Sequence, residues 1–284
     1  MAGIRFYHDF DFEYGVMETV SPLVRRIVAR NPGSFTGPGT ATFIVGHGHV
    51  AVIDPGPSMT GHIQAILDSL RGETIDRILI THTHPDHWPA APAVQSATSA
   101  PIHSFTPGVG DHIMQDGDVI EGKGWHLTAV HTPGHTPDHL CFALPEERTL
   151  FSGDHVMGWS TSVIIPPDGE MQAYMRSLDK LLDRDDKIYL PTHGPAVTDP
   201  KTHVRAFIEH RNERRAAILR RLAKGEATVP EIVRNVYTDV SSTLHGAAAL
   251  SVHAHLIELA ELGQVSTDGP PSSAQRFRLS AKKA

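Results

Sequence analysis

Short, β-rich apolar runs alternate with helical patterns of apolar residues along the first two hundred positions of the chain. The run from Thr40 to Asp54 has a glycine-containing turn between two such segments, which predicts a β-hairpin. A helical spacing follows and stops at Gly72, and a short buried strand predicted over Arg77 to Thr81 leads directly into a histidine-rich motif. Strands that alternate with helices in this way predict a layered α/β protein.

The alternation continues through the second half of this region. The turn sequence Asp116-Gly117-Asp118 predicts another hairpin. The apolar spacing of Glu170 to Leu182 predicts a helix. The remaining predicted elements are a helix at Ala90 to Ala97 and strands at Ile102 to Phe105, Trp125 to His131, Leu140 to Leu144, Thr149 to Ser152 and Lys187 to Pro191.

A different pattern begins near residue 203, where three helical segments precede a strand, a turn and a strand. This order matches a winged-helix module, so we expect two domains, residues 1–203 and residues 204–284. Thr228 is the predicted N-cap of the second helix. The predicted segments are His203 to Ala223, Val229 to Val236, Ala247 to Leu262, which Gly263 ends, and the hairpin Gln264 to Ser280.

Composition narrows the class of protein. A hydrophobic fraction of 40% and a charged fraction of 20% are typical of a globular chain and argue against disorder. The N-terminus has neither the basic start nor the apolar run of a signal peptide, so we expect a cytoplasmic protein with no membrane association. The single cysteine, Cys141, lies between Leu140 and Phe142 and is predicted to be a core residue.

Charge is spread unevenly, and histidine is abundant. The chain has 20 histidines and a net charge of -7. Residues through Val204 include 13 basic and 24 acidic side chains, and the rest include 12 and 8, which gives net charges of about -11 and +4. The positive charge of the second part is too small to identify a nucleic-acid surface. The histidines favour a metal site, because imidazole is the commonest protein metal ligand.

Four candidate ligands lie in the motif His82-Thr83-His84-Pro85-Asp86-His87. In an extended segment alternate side chains share a face, so His82 and His84 can bind one metal ion. Pro85 keeps His84 extended and permits a helical turn just after it, from which Asp86 and His87 reach a second position beside the first.

Three more candidate ligands follow predicted strands, each beside glycine or proline. They are His135 in Thr-Pro-Gly-His-Thr, Asp154 in Phe-Ser-Gly-Asp-His and His193 in Leu-Pro-Thr-His-Gly-Pro. Small and turn-forming residues let the backbone approach a bound ion, and strand ends hold a ligand firmly.

This succession of motifs resembles the metallo-β-lactamase superfamily over roughly the first two hundred residues. The resemblance is closer to the branch with a C-terminal winged helix, which includes animal endoribonucleases acting on single-stranded RNA. The sequences Pro-Gly-His-Thr-Pro-Asp-His and Ser-Gly-Asp-His-Val-Met-Gly-Trp-Ser-Thr, with His210-Arg211-Asn212 at the start of the tail, carry it. The implied fold is an αββα sandwich followed by a small winged-helix domain.

The resemblance also implies a dinuclear metal hydrolase in which a hydroxide bridges two divalent ions. One ion would bind His82, His84 and His135, and the other would bind Asp86, His87 and His193. Asp154 would bridge them, and Asp86 and Asp154 are the expected catalytic residues. Zinc suits this all-nitrogen-and-oxygen set best, with manganese or iron as alternatives. Asp54 resembles the aspartate that orients a ligand histidine.

The resemblance restricts the nucleophile more than the substrate. The branch and the basic tail favour phosphodiester cleavage of single-stranded nucleic acid. The alternative is a thioester, lactone or other carboxylic ester, as in glyoxalase-II-like or β-lactamase-like activity. An iron redox enzyme and a nucleic-acid-binding regulator are further alternatives. The sequence leaves the oligomeric state open, a homodimer included.

Several residues carry two interpretations. His139, Ser160 and Thr161 are candidate substrate contacts, but hydrogen-bonded packing or a capped turn explains them equally well. Trp88 follows the motif where the family often has a small residue, which leaves the pocket size open. The basic residues of the long helix either contact phosphates or form a solvated face. These are Arg211, Arg214, Arg215, Arg220 and Arg221.

Overall fold

Two β-sheets lie face to face in the first part of the chain. A computed structural model describes residues 3–238, 241 and 244–281. The first sheet has seven strands in chain order, antiparallel from β1 to β4 and parallel from β4 to β7. The strands are β1 (Glu18–Thr19), β2 (Val24–Val28), β3 (Ala41–His47), β4 (His49–Ile53), β5 (Thr74–Leu79), β6 (Ile102–Ser104) and β7 (His112–Ile113).

The second sheet has five strands in the order β12-β11-β10-β9-β8. Strands β11 and β12 are parallel, and the other pairs are antiparallel. Its strands are β8 (Val119–Gly122), β9 (Trp125–His131), β10 (Leu140–Leu144), β11 (Thr149–Gly153) and β12 (Ile188–Pro191).

The strands of the first sheet are apolar on both faces, because both faces of the sheet are covered. In β3, Phe43 and Val45 pack between the two sheets, whereas Ile44 packs on the outer face. Successive side chains of a strand point to opposite faces, so a strand covered on both sides is apolar at every position. The outer face of the first sheet carries helices α1 (Thr60–Ser69) and α2 (Ala91–Thr98).

The second sheet is covered by helices as well. Helix α3 (Met171–Leu182) and the first half of α4 (Pro200–Leu222) pack on its outer face. In β10, Phe142 faces the inter-sheet core and Cys141 faces these helices. Burial raises the pKa of the Cys141 thiol to about 12, so this cysteine is a core residue, as predicted. The layers are therefore α, β, β, α.

The hairpin predicted at Asp116-Gly117-Asp118 is wrong. Strand β7 pairs with β6 in the first sheet, and β8 pairs with β9 in the second. The turn itself forms, because Asp118 accepts a hydrogen bond from the backbone N–H of Gln115 at 2.7 Å. It carries the chain from one sheet to the other, and the hairpin turn lies instead at Lys123-Gly124.

The C-terminal part has its own apolar core. Helices α5 (Val229–Val236) and α6 (His245–Glu261) pack against the second half of α4 and a three-stranded sheet. Thr228 caps α5 in a reciprocal capping box with Glu231, as the N-cap prediction required. The sheet consists of β13 (Ala227–Thr228), β14 (Val265–Ser266) and β15 (Arg276–Leu279) in the order β13-β15-β14.

Helix α4 joins the two parts. The expected boundary between residues 203 and 204 falls inside it, since Val204 and Phe207 pack under the second sheet while Ile218 and Leu222 pack in the C-terminal core. Among the helices of the described residues, none is both long enough and apolar enough to cross a bilayer.

Candidate metal centre

The seven predicted ligands all follow the carboxyl ends of strands. The histidine-rich motif comes directly after β5, and His135 lies in the loop between β9 and β10. Asp154 follows β11, and His193 follows β12, which is parallel to β11. This common position brings residues that are far apart in the chain to one end of the sandwich.

The structure gathers these side chains into two adjacent groups. One group contains His82, His84, His135 and Asp154, and the other contains Asp86, His87 and His193, with the donor atoms of each group within 4.8 Å of one another. In the first group, Nδ1 of His84 lies 3.0 Å from Nε2 of His82 and 3.0 Å from Nε2 of His135.

Asp154 lies between the two groups. Its Oδ2 is 3.6 Å from Nε2 of His135 and 3.6 Å from Nε2 of His87, and its Oδ1 is 3.4 Å from Nε2 of His193. One carboxylate therefore faces donors of both groups. This is the arrangement that a ligand shared by two cations requires.

Hydrogen bonds at Nδ1 orient several of the histidines. The Nδ1 atoms of His87, His135 and His193 are bonded to Asp54, the Val163 carbonyl and the Gly39 carbonyl at 2.8, 2.7 and 3.1 Å. Each bond places the proton on Nδ1 and leaves Nε2 as the metal-binding atom.

Asp54 is the buried acceptor that organises the motif. Its carboxylate accepts hydrogen bonds from the backbone N–H of Thr81 at 2.8 Å, from Thr81 Oγ1 at 2.6 Å and from His87 Nδ1 at 2.8 Å, and Thr192 Oγ1 lies 3.2 Å away. The structure thus places Asp54 against Nδ1 of His87, a candidate ligand of the kind that the sequence expected Asp54 to orient. Thr81 and Thr192 were not anticipated.

The electrostatics of the site differ between its two groups. Burial opposes charge on His87 and His193, yet the surrounding carboxylates raise the pKa of His87 well above its ordinary value and that of His193 to about 9. Burial also opposes ionisation of Asp86, but His87 and His193 lower its pKa to about 2. Burial lowers the pKa of His82, and burial lowers that of His84 to about 4.

The residues fit divalent metal ions. Nε2 of His87, Nε2 of His193 and Oδ1 of Asp154 are buried and have no hydrogen-bond partner in the protein. Buried polar atoms are rarely left unpaired. A cation at this position would satisfy all three, and donors of this kind are those that zinc, manganese and iron accept.

His139 holds Asp154 in place. It is fully buried, its Nε2 accepts the backbone N–H of Asp154 at 3.1 Å, and its Nδ1 contacts Thr132 Oγ1 at 2.9 Å. Gly153 permits this contact, because a Cβ there would lie 2.5 Å from Nε2 of His139. Both ring nitrogens of His139 are engaged inside the fold, which matches the hydrogen-bonded packing that the sequence left open beside a substrate contact.

Two further positioning residues escaped the sequence prediction. Asp138 accepts hydrogen bonds from the backbone N–H of Thr83 at 3.0 Å and from Thr106 Oγ1 at 2.8 Å, which ties the histidine motif to the loop after β6. Ser162 donates to the carbonyl of Asp154 at 2.6 Å. The only sequence signal for Asp138 is its place between His135 and His139.

Ser160 and Thr161 line a cavity of about 520 Å³ beside this centre. Trp159 lines the same cavity and packs against the backbone that carries His193: a Cβ on Gly194, whose φ is +79°, would lie 2.6 Å from the Trp159 ring. Trp88, by contrast, packs against the apolar core between the first sheet and helices α1 and α2. Of these two tryptophans, Trp159 is therefore the one that lines the cavity.

Comparison with known proteins agrees with this geometry. A family model described as the Metallo-beta-lactamase superfamily matches residues 35–108 and 102–193. This chain belongs to the metallo-beta-lactamase superfamily. A second family model, the Beta-lactamase associated winged helix domain, matches residues 228–271. The predicted family, the αββα fold and the C-terminal winged helix are confirmed, and the protein is a hydrolase of this superfamily.

Its relatives include lactamase-like proteins and thioesterases. The chain is 30% identical over 283 residues to the Lactamase-like protein adaB of Aspergillus niger, covering 93% of this chain and 88% of that protein. It is 32% identical over 240 residues to the Atrochrysone carboxyl ACP thioesterase nsrC of Aspergillus novofumigatus, covering 78% and 73%.

A solved structure shows that the fold extends over both parts of the chain. The beta-lactamase domain protein of Burkholderia ambifaria superposes with a TM-score of 0.83 at 18% identity, covering 98% of this chain and 97% of that one. At this level of identity, the likeness shows the shared fold of the metallo-beta-lactamase domain and its winged helix.

Proposed function

We propose that this metallo-beta-lactamase superfamily protein is a metal-dependent thioester hydrolase. The observation that carries the proposal is the convergence of seven side chains into two donor groups that share Asp154. The substrate class is supported by the relatives named as acyl carrier protein thioesterases, one of them 32% identical over 240 residues.

Each group of donors is assigned to one divalent ion. His82, His84 and His135 would hold the first ion, and Asp154 would contact both. Bound divalent ions lower the pKa of a water molecule and stabilise negative charge on an attacked carbonyl oxygen. The second ion would be held by Asp86, His87 and His193.

The two carboxylates have different tasks in this proposal. The side chain of Asp86 is 24% exposed, so its ionised carboxylate can accept a hydrogen bond from water that enters the site. Asp154 is nearly buried, and the bonds from its backbone to His139 and Ser162 fix its position. Both carboxylates offset the charge of the cations, and Asp154 keeps the two donor groups in one arrangement.

Thioester hydrolysis replaces the phosphodiester cleavage that the sequence placed first. Several of the arginines named on α4 have partners inside the protein: Arg211 is buried, and Arg214 donates to the Val236 carbonyl while it stacks on Tyr237. Arg215 pairs with Glu258 at 3.3 Å. Binding to a nucleic-acid backbone depends on accessible cations, which this arrangement reduces.

The test is a substrate panel run with and without a metal chelator. Wild-type protein, Asp154→Asn and the control Asp76→Asn, which alters a partly exposed aspartate facing His49, are assayed on acyl thioesters of a small thiol, a lactone and labelled single-stranded RNA. We expect metal-dependent thioester hydrolysis that Asp154→Asn lowers by about a hundredfold or more, as loss of a metal-supporting residue does, and that Asp76→Asn retains. Cleavage of RNA alone, tracking Asp154, would contradict the proposal.

A further inference from the structure

The cavity beside the metal centre lies where six parts of the chain meet. It is lined by the N-terminal segment, Ser34, the loop at 159–163, helix α4, Tyr237 and the helix α6 region of the winged helix. Its volume of about 520 Å³ is within the range of small-molecule sites. Much of its wall is apolar, with Ile4, Phe6, Leu244, Ala247 and Ala248 among the lining residues.

One wall of this cavity is shared with the metal centre. Ser162 and Val163 line the cavity, while the Val163 carbonyl holds His135 and the Ser162 hydroxyl holds the carbonyl of Asp154. A substrate placed in the cavity therefore lies against the segment that supports two of the metal ligands.

The cavity also contains guanidinium groups without an acidic partner. Arg211 is 2% exposed, donates to the Ser162 carbonyl and leaves its Nε with no hydrogen-bond partner. Within the described part of the chain, no carboxylate forms an ion pair with Arg211 or Arg214, and Glu258 is already paired with Arg215 and His255. A buried charge with no counter-charge is costly, so a ligand that supplies one is favoured.

Two other polar groups at the cavity fit the same interpretation. Burial, together with Arg211 and Arg214, lowers the pKa of His210 to about 3. Its imidazole is therefore neutral and does not compete with the two arginines for an anion. Trp159 presents an aromatic ring whose buried Nε1 has no partner within the protein. The cavity thus combines apolar and aromatic walls with unused donors.

We propose that this cavity is the acyl pocket of the enzyme and that Arg211 binds a carboxylate on an apolar, ring-sized acyl group. This proposal rests on the thioesterase activity proposed above, and it names the class of substrate that the activity takes. The winged helix then acts as one wall of the acyl pocket, through α6, and not as a nucleic-acid reader.

The test compares two thioesters of N-acetylcysteamine that differ only in the anion: the benzoyl and the meta-carboxybenzoyl thioester. For wild-type protein we expect a higher kcat/KM with the carboxylated substrate. In Arg211→Gln this preference should fall by about tenfold or more, since hydrogen bonds between charged groups are among the strongest. The control Arg205→Gln removes one charge from an exposed position of the same helix and should keep the preference.

A second variant tests the pocket without removing the buried arginine. Ala247→Trp fills the cavity from α6, away from the metal ligands. We expect kcat/KM to fall by about tenfold or more for the benzoyl thioesters and by much less for the acetyl thioester. Equal losses on acetyl and benzoyl substrates would overturn the assignment of the cavity.

Two further experiments distinguish a failure of the pocket proposal from a failure of the thioesterase proposal. Pantetheine and phosphopantetheine thioesters of benzoate differ only in a phosphate on the thiol side, and an Arg211-dependent preference for the phosphorylated thioester would overturn the acyl assignment. Calorimetric binding of meta-carboxybenzoate to wild-type protein and to Arg211→Gln is independent of turnover. If no thioester is hydrolysed but Arg211-dependent binding is seen, the thioesterase proposal fails and the acyl assignment fails with it, while the carboxylate site at Arg211 stands. If thioesters are hydrolysed without any such preference or binding, only the pocket proposal fails.

Discussion

The substitution Asp54→Asn tests whether one buried carboxylate organises the metal centre. Asp54 has a φ of +48°, a conformation that asparagine adopts more readily than most residues. The change therefore removes the charge and one acceptor atom with little cost to the backbone. Replacement by alanine would add backbone strain and obscure the result.

The expected loss follows from the hydrogen bonds of Asp54. In the wild-type protein its two oxygens accept from Thr81 N–H, Thr81 Oγ1 and His87 Nδ1, all within 2.8 Å. An asparagine keeps one oxygen and turns an NH₂ group toward at least one of these donors. Leaving one or two buried donors unpaired should lower the free energy of unfolding by roughly 3 kcal/mol. Loss of the orienting bond to His87 should weaken metal binding by about 10- to 100-fold.

Urea unfolding in the presence of a chelator measures the stability of the metal-free protein, and competition with a chromogenic chelator measures metal affinity. Asp76→Asn makes the same chemical change at a partly exposed site that faces His49. There we expect the free energy of unfolding to change by less than about 0.5 kcal/mol and metal affinity to stay the same. If Asp54→Asn matched the wild type in both assays, the role assigned to Asp54 would be refuted.

Two further predictions concern the surroundings of the site. Gly194→Ala should lower the free energy of unfolding by about 1–3 kcal/mol and weaken metal binding. The reason is that Gly194, next to His193, has a φ of +79° and an added Cβ would lie 2.6 Å from the Trp159 ring. Unfolding and metal titrations that match the wild type would contradict this. Burial lowers the pKa of His62 to about 4, so the unfolded chain takes up its proton first as the pH falls below 6.5. His62 alone should therefore contribute a loss of stability of up to about 3 kcal/mol between pH 6.5 and pH 4. Urea titrations of His62→Gln should show a correspondingly smaller decrease, and an unchanged pH dependence would disprove this cause.

Local patterns predicted most elements, because each depends on the residues within it. Alternation and turn residues located the β3–β4 hairpin, and Thr228 as the predicted N-cap located the start of α5. The turn at 116–118 was misassigned because its flanking strands join different sheets. Pairing between distant strands cannot be read from the turn that precedes them.

In the candidate site, too, residues with a local sequence pattern were predicted, and residues defined by distant contacts were not. Four ligands lie within six residues, and the other three follow strand ends next to glycine or proline, so their spacing alone indicated a metal site. Asp138 was missed because its partners, Thr83 and Thr106, are 55 and 32 residues away. Arg211 belongs to a run that resembles an exposed basic face, yet α4 is covered by both parts of the fold and Arg211 is buried.

Metal stoichiometry is the measurement that tests the central claim most directly. Protein purified with zinc and then dialysed is analysed for metal and chain concentration, alongside Asp154→Asn and the control Asp76→Asn. We expect two ions per chain in the wild type and in Asp76→Asn, and at most one in Asp154→Asn, because this carboxylate faces both donor groups. A wild-type protein that retains no metal, or an Asp154→Asn variant that still retains two ions with unchanged affinity, would contradict the claim that Asp154 joins two metal sites.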